Sequence, residues 1–524
     1  MLSGLSALAL IASLLQPAAE PPRIVLVGGP KPLWPQIVRE YERRYPSQPA
    51  IWEVGSASES GQRDLVFAYY PTQEELKPAL MLAAKRWLGF PAEFVAAAVK
   101  HPIEQDASAK GAEYLDEGGV ENGVRLLAYL FSLVRPGVAA EAPVKAPQVG
   151  IYHPDAGDVF LDYDSYRKWW EDSAAGKGER SGQDRRVVAV SFLSTSLRAH
   201  DLAVVDAVVR RIEARGDVPL AVFGYPLEKV TPLLQSKGML QPQIVISLSA
   251  TVSQPRDVDT YNGWALPVLN GLVTRESAEQ WRANAKGLPS DRVSAHLSLP
   301  ERSGLIEPTL VGTTETAANG AKILAPFSPG IDALLDRMQR MLALRSRPNA
   351  GKRVALIYYD NPAGKGNIGA SYLQVFPSLR NILAALAGDG YVVPEPLPDE
   401  VELRRMLEAN GRNLELWAEG EKQRMAAVTA MVRWPVDEYR RYYDALPKEF
   451  RDTVEETWGP PEQSQLMTAE CGARRCFLLP VQREGNILLA PQPLRTTFEQ
   501  AGDPTHERIT PPPHQYIAFY LWLQ

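Results

Sequence analysis

Between residues 187 and 248 the chain alternates short, fully apolar runs with stretches of helical length, and this alternation restricts its fold more than any other feature. Val187–Leu193 (VVAVSFL), Val218–Gly224 (VPLAVFG) and Gln243–Leu248 (QIVISL) lack the polar alternation of a half-exposed strand, so both faces of each must be covered. Between the first two, Asp201–Arg215 sets Leu202, Val205, Val208, Val209 and Ile212 on one stripe at helical spacing. Leu227–Lys237 reads as a second helix. Strand, helix, strand, helix, strand at these lengths predicts adjacent parallel strands with the 201–215 helix on one face, a doubly wound α/β unit.

Weaker signals flank this unit. Arg23–Gly28 (RIVLVG) reads as a buried strand and Leu33–Tyr45 as a helix, with helical patterns over Glu74–Lys100 and Asn122–Val134. A break rich in Pro, Ala and Glu, Arg135–Pro147, marks a linker. A second unit opens after Arg347–Gly351, with a strand at Arg353–Tyr359, a Gly-rich loop, a helix at Pro377–Ala387 and a strand at Tyr391–Val393. Pro398–Trp458 is charged and helical, and Arg475–Gln492 returns to short strands. The expected fold class is multi-domain α/β, with doubly wound parallel-sheet units plus a helical segment. Its parts are an N-terminal α/β domain over 23–140, a doubly wound domain over 147–272, a helical connection over 273–350, and a second α/β domain with a helical insertion over 351–524.

Acidic residues outnumber basic ones by 62 to 56, which argues against nucleic acid as a partner because phosphate neutralisation needs an excess of Lys and Arg. Leu2–Ala19 is uncharged and nearly all apolar, with small residues at Pro17-Ala18-Ala19, and reads as a signal peptide over residues 1–20. It has no Lys or Arg before the apolar run, so a retained apolar helix stays open. The expected location is periplasmic or otherwise exported, with the cytoplasm as the alternative. No other stretch approaches about twenty uncharged apolar residues, so no integral membrane domain is expected. The two cysteines, Cys471 and Cys476, bracket Gly472–Arg475 between strand-like stretches; exported, they predict a disulfide closing a hairpin, and otherwise they are isolated thiols.

Chemistry-bearing motifs are few. Asn361–Ala370 (NPAGKGNIGA) lies between a strand and a helix, where backbone N–H groups can cradle an anion, and Gly364, Gly366 and Gly369 equally suit a turn needing positive φ. It is not a Walker A loop, because Lys365 is followed by Gly366 rather than a hydroxyl residue, and it is not a clean dinucleotide fingerprint. The six histidines, at 101, 153, 200, 296, 506 and 514, form no H-x-x-x-H or H-E-x-x-H pair. His506 and His514 flank Pro511-Pro512-Pro513 ahead of an aromatic-rich terminal helix.

Seven phrases in order extend the reading: Tyr114–Leu130, Val149–Pro154, Leu299–Gly312 (LPERSGLIEPTLVG), Val354–Tyr391, Trp458–Glu462, Gly485–Arg495 (GNILLAPQPLR) and Pro511–Leu523 (PPPHQYIAFYLWL). Together they resemble the large subunit of class I metal chelatases, the family of the aerobic cobaltochelatase and magnesium chelatase large subunits. The resemblance implies a tetrapyrrole substrate and a divalent metal, Co or Mg, with ATP hydrolysed by separate AAA+ partner subunits if the protein is cytoplasmic. It also implies that Asn367, Asn486, Gln492, His506 and His514, with Glu307 as an acid, line a tetrapyrrole cleft; each residue also fits a loop-orienting role. In the family the terminal helix is followed by a His-Gly-Lys/Thr-His-Gly-x-Leu-Glu phrase that carries the leading metal-delivery candidates. Gln524 precedes any such phrase, so the resemblance covers a family member's N-terminal part, and this chain alone is expected to show neither ATP hydrolysis nor metal insertion. Two alternatives stand beside it: an exported tetrapyrrole- or haem-binding or dechelating protein without an ATPase partner, and a non-catalytic solute-binding scaffold.

Overall fold

The computed structural model describes residues 20–524 except 56–61, 174–175, 178–184, 250–256, 285, 317–321, 361–367, 370–371, 415, 417–418, 429–430 and 498–509. The expected signal segment, Leu2–Ala19, lies outside the described residues. Two compact units divide the chain at Leu342/Ala343.

The first unit begins with strands β1 (Arg23–Gly28), β2 (Ile51–Val54), β3 (Leu65–Tyr69) and β4 (Trp87–Phe90) in a parallel sheet of order β2-β1-β3-β4. Helices α1 (Trp34–Arg44), α2 (Gln105–Glu117) and α3 (Gly119–Val134) bury Trp34, Ile37, Tyr41, Tyr114 and Leu127 with Ile24, Leu26 and Phe67 of the sheet. The helical pattern expected over Glu74–Lys100 is interrupted by β4, whose run Trp87-Leu88-Gly89 is buried against its neighbours. A short apolar run of that length is ambiguous in period, and tertiary pairing decides it. The proposed linker is ordered: Asn122 of α3 exchanges two hydrogen bonds with the Val144 backbone, and Arg125 donates to the Ala142 carbonyl.

A second sheet in the same unit contains β5 (Gly150–Tyr152), β6 (Val187–Phe192), β7 (Val218–Phe223), β8 (Pro242–Ser247), β9 (Val268–Val273), β10 (Leu305–Thr316) and β11 (Lys322–Pro326), in the order β11-β10-β9-β8-β6-β7-β5. Strands β10 to β7 run parallel, and the edges β11 and β5 are antiparallel. β6, β7 and β8 are therefore the parallel strands expected from their apolar runs, with β6 central between β8 and β7. Helices α4 (Tyr163–Asp172) and α5 (Ala203–Ala214) flank the sheet; α5 lays Val204, Val205, Val208, Val209 and Ile212 on Val188, Val190 and Ile246. Fully burying one such valine stabilises by about 1.5–3 kcal/mol, so the stripe is a main fastening of this layer. The opposite face packs Ala189, Val245 and Val268 against Tyr166, Trp170 and Trp264.

Residues 273–350, expected as a helical connection, instead complete this sheet with β10 and β11 before α6 (Ser328–Ser346) returns across it. Gly330 in α6 is required, because a side chain there would run into the Leu310 carbonyl. Residues 227–234 form two 3₁₀ turns rather than a helix, with Pro232 in the second.

In the second unit a three-stranded sheet has the order β12 (Val354–Tyr358), β17 (Ile487–Pro491), β16 (Gln482–Glu484); β12 and β17 are parallel. A second sheet orders β13 (Val432–Pro435), β15 (Arg474–Leu479) and β14 (Thr468–Cys471), all antiparallel. Helices α7 (Val375–Gly388) and α8 (Glu400–Asn410) cover the first sheet through Phe376, Leu379, Leu383, Leu403 and Leu407. Helices α9 (Val436–Tyr443) and α10 (His514–Leu523) pack Tyr439, Tyr443, Ile517 and Phe519 with Phe477. Tyr391–Val393, expected as a strand, is irregular, though the Val392 carbonyl accepts from Asn486 N–H. Among the described residues no helix is long and apolar enough to cross a membrane.

Candidate functional site

In the second unit the carboxyl-terminal ends of the parallel neighbours β12 and β17 lie side by side, the position at which open α/β sheets bind ligands. The Gly-rich segment leaves β12 here and Gln492 leaves β17 here. Gln492 N–H donates to the Tyr358 carbonyl at 2.7 Å, which fixes the two strand ends together. The far foot of the Gly-rich segment returns to the same place: Ile368 bridges Asp360, and Gly369 N–H donates to the Tyr359 carbonyl at 3.2 Å. Asn367, Gly364 and Gly366 lie outside the described residues; Gly369 belongs to the returning foot.

Gln492 is held on both sides of its amide. Its Nε2 donates to Tyr516 Oη at 3.2 Å, its Oε1 accepts from Tyr520 Oη at 2.8 Å, and its carbonyl accepts from Asn413 Nδ2 at 2.7 Å. Both tyrosines come from α10, one turn apart, with rings 5.0 Å between centroids. The guanidinium of Arg495 stacks over Tyr516 at 5.4 Å. Around the Gly-rich segment, large side chains face solvent: Tyr359 is 42% exposed, Leu373 59% and Tyr372 wholly so. Large exposed apolar side chains close in sequence to such a strand end suit a binding surface.

The residue that sequence reasoning missed is Asp360. It lies two residues beyond the end of β12, is 2% exposed, and accepts the Asn413 N–H at Oδ2 over 2.6 Å, while Oδ1 has no hydrogen-bond partner. Burial pushes this carboxyl up to about 6, against the pull of the Asn413 N–H and of Arg412. A buried, half-satisfied acid that titrates near neutrality at a strand-end crevice is a functional-site signature. The signal available in sequence was an acid placed between a strand-like run, Arg353–Tyr359, and a Gly-rich loop.

The remaining expected site residues fall elsewhere. His514 is fully buried; Nε2 donates to the Gly459 carbonyl at 2.9 Å, so Nδ1 accepts from Tyr439 Oη at 3.0 Å. Burial lowers its pKa, and the neutral imidazole ties α10 to α9 and to the turn at Gly459. With both nitrogens engaged it has no valence left for a ligand. Asn486 stands at the opposite end of β17 from Gln492, about 20 Å away along the strand, where its Nδ2 donates to the Ala350 carbonyl. Glu307 belongs to the first unit, at an irregular register step in β10 with φ of 57°, and its carboxylate pairs with Arg337 of α6. His506 lies outside the described residues. Cys471 and Cys476 are joined as a disulfide across the β14–β15 hairpin, with Cα atoms 6.0 Å apart and Gly472 in the turn at φ of 67°. Among the described residues no group of three or more His, Cys, Asp or Glu side chains is arranged to hold a metal ion.

The family model described as CobN/Magnesium Chelatase matches residues 112–524. The aerobic cobaltochelatase subunit CobN of a Sinorhizobium species is 26% identical over 433 residues, covering 78% of this chain and 32% of the relative. A magnesium-chelatase subunit from Rhodobacter capsulatus is 29% identical over 441 residues, covering 78% of this chain and 34% of the relative. The chain thus spans about a third of the length of these relatives. Among solved structures, the catalytic subunit of cobaltochelatase from Mycobacterium tuberculosis shares the fold, with a TM-score of 0.62 and 21% identity over 96% of this chain and 41% of that one.

Proposed function

The chain belongs to the CobN/magnesium chelatase family, and on that premise we propose that it is a large-subunit-type component of an ATP-dependent metal chelatase, holding a tetrapyrrole while a divalent metal, Co or Mg, is inserted. The observation that carries this reading is the family match over residues 112–524. ATP would be hydrolysed by separate AAA+ partners. Insertion requires two pyrrole N–H protons to leave as the metal–nitrogen bonds form, so the site must offer a proton acceptor beside an apolar shelf. Asp360, titrating near neutrality, suits the acceptor, and the exposed Tyr359, Tyr372 and Leu373 suit the shelf. Fluorescence titration of the purified chain with a carboxylated porphyrin such as deuteroporphyrin IX tests this: saturable quenching at one porphyrin per chain is expected, and the absence of saturable binding would overturn the reading.

The disulfide favours a second reading, an exported tetrapyrrole-binding or dechelating protein with no ATPase partner, because such bonds persist in oxidising compartments. Material recovered from the periplasm is expected to resist alkylation at Cys471 and Cys476 until reductant is added. Free alkylation of both thiols in that material without reductant would contradict the disulfide and remove the support it gives this second reading.

A further inference from the structure

The first unit contains a cavity of its own. It has a volume of about 480 Å³ and opens beyond the carboxyl-terminal ends of β8 and β9, beside Leu248, Val273 and Thr274. Its far wall is the helical stretch 290–302, which carries one π-turn at Ser294–Ser298. π-turns inside helices concentrate at functional positions. This one carries His296 on the cavity wall, Arg292 stands on the turn just ahead of it, and Arg275 reaches the wall from the end of β9.

The three side chains are close enough to interact. Burial lowers the pKa of His296, and the positive charges of Arg292 and Arg275 lower it further. Neither arginine pairs with a carboxylate among the described residues; Asp291, exposed on the rim, makes no ion pair with them. Two guanidinium groups facing one cavity repel each other unless an anion sits between them. His296 Nδ1 is buried without a hydrogen-bond partner. Beneath it Asn270, 2% exposed, donates from Nδ2 to the His296 carbonyl at 2.9 Å, holding the π-turn in place, and its Oδ1 is also unpartnered. Leaving a buried polar atom unmade costs about 1–3 kcal/mol, so the unpartnered Nδ1 of His296, a residue of the cavity wall, calls for a polar occupant. Gly271 keeps the floor free of a side chain: a Cβ there would meet Leu248 at 2.6 Å.

We propose that this cavity is an oxyanion-binding site, taking a carboxylate or phosphate group between Arg275 and Arg292 with His296 as a hydrogen-bonding neighbour. Planar guanidinium forks match oxyanions two bonds at a time, which accounts for arginine on both sides. The anion is either a carboxylate arm of a larger ligand or a free small anion. The site stands on its own geometry and does not depend on the chelatase reading.

Isothermal titration calorimetry separates the sources. The chain would be titrated with inorganic phosphate, with succinate, and with deuteroporphyrin IX beside its dimethyl ester. Arg275→Met and Arg292→Met keep the aliphatic stem while removing the charge, and circular dichroism checks that each folds. If phosphate or succinate binds and each variant weakens it at least about tenfold, the site takes a free anion. If only the porphyrin diacid binds in an arginine-dependent way, the site takes a carboxylate arm. Oxyanion affinity unchanged in both variants, or no arginine-dependent binding by any probe, overturns the proposal. Porphyrin binding that survives both substitutions, with no arginine-dependent binding of phosphate or succinate, would leave the chelatase reading intact while removing this site.

Discussion

Asp360→Asn is expected to make the second unit more stable at pH 7.5 by about 2 kcal/mol while slowing metal insertion by the partner-assembled protein about 100-fold. The stability gain follows from burial. The carboxyl titrates near 6 in the folded chain and near 3.9 unfolded. Between these values the folded chain holds a proton that the unfolded chain has released, so this group's stabilising contribution is complete below about pH 4 and is lost as pH rises through about 6. Asparagine carries no charge to bury, so its advantage over aspartate should be full at pH 7.5, smaller at pH 5 and nearly gone at pH 4. Urea unfolding of wild type and variant at those three values measures it. Gaining stability while losing activity is the pattern of a residue kept for function. Equal stability at all three values would show that the carboxyl is not buried as charged, and unchanged insertion would show that it accepts no proton.

His514→Ala should act in the opposite sense, lowering stability by about 3–5 kcal/mol, because it empties a ring-sized volume and leaves the Tyr439 hydroxyl and the Gly459 carbonyl without partners. Since burial holds this imidazole below its usual pKa, the folded chain binds fewer protons than the unfolded one as pH falls below about 6.5, and stability falls with it. The alanine variant lacks that contribution, so its deficit should narrow toward acid. Urea midpoints at pH 7.5 and pH 5.5 report both effects. Wild-type stability in the variant, coupled with lost porphyrin binding, would instead make His514 a ligand-contacting residue.

The sequence resolved the parts of the fold whose apolar pattern is local. Strands β6, β7 and β8 are continuous runs, and α5 has one clean stripe, so their parallel arrangement was legible from the residues alone. It failed where pairing decides: β4 hides inside a helical-looking stretch, and β10 and β11 complete a sheet begun more than a hundred residues earlier. In the candidate site, the convergence of Gln492 with the Gly-rich segment could be expected from shared family phrases, yet the burial of Asp360 depends on the chain returning at Gly411–Asn413, 53 residues on, which no local pattern encodes. The same limit hid the real use of His514. An imidazole beside a proline run looks exposed in sequence, while three elements close around it in the fold.

Hydrogen–deuterium exchange of the purified chain with and without deuteroporphyrin IX is the most direct measurement of where a tetrapyrrole sits. Slowed exchange in peptides spanning Tyr358–Gln374, Gly411–Leu414 and Pro491–Thr497 is the expected result, because Tyr358–Asp360, Ile368–Gly369, Asn413 and Gln492 meet at the ends of β12 and β17. Saturable porphyrin binding with no protection in any of the three would contradict the assignment of the site to this crevice.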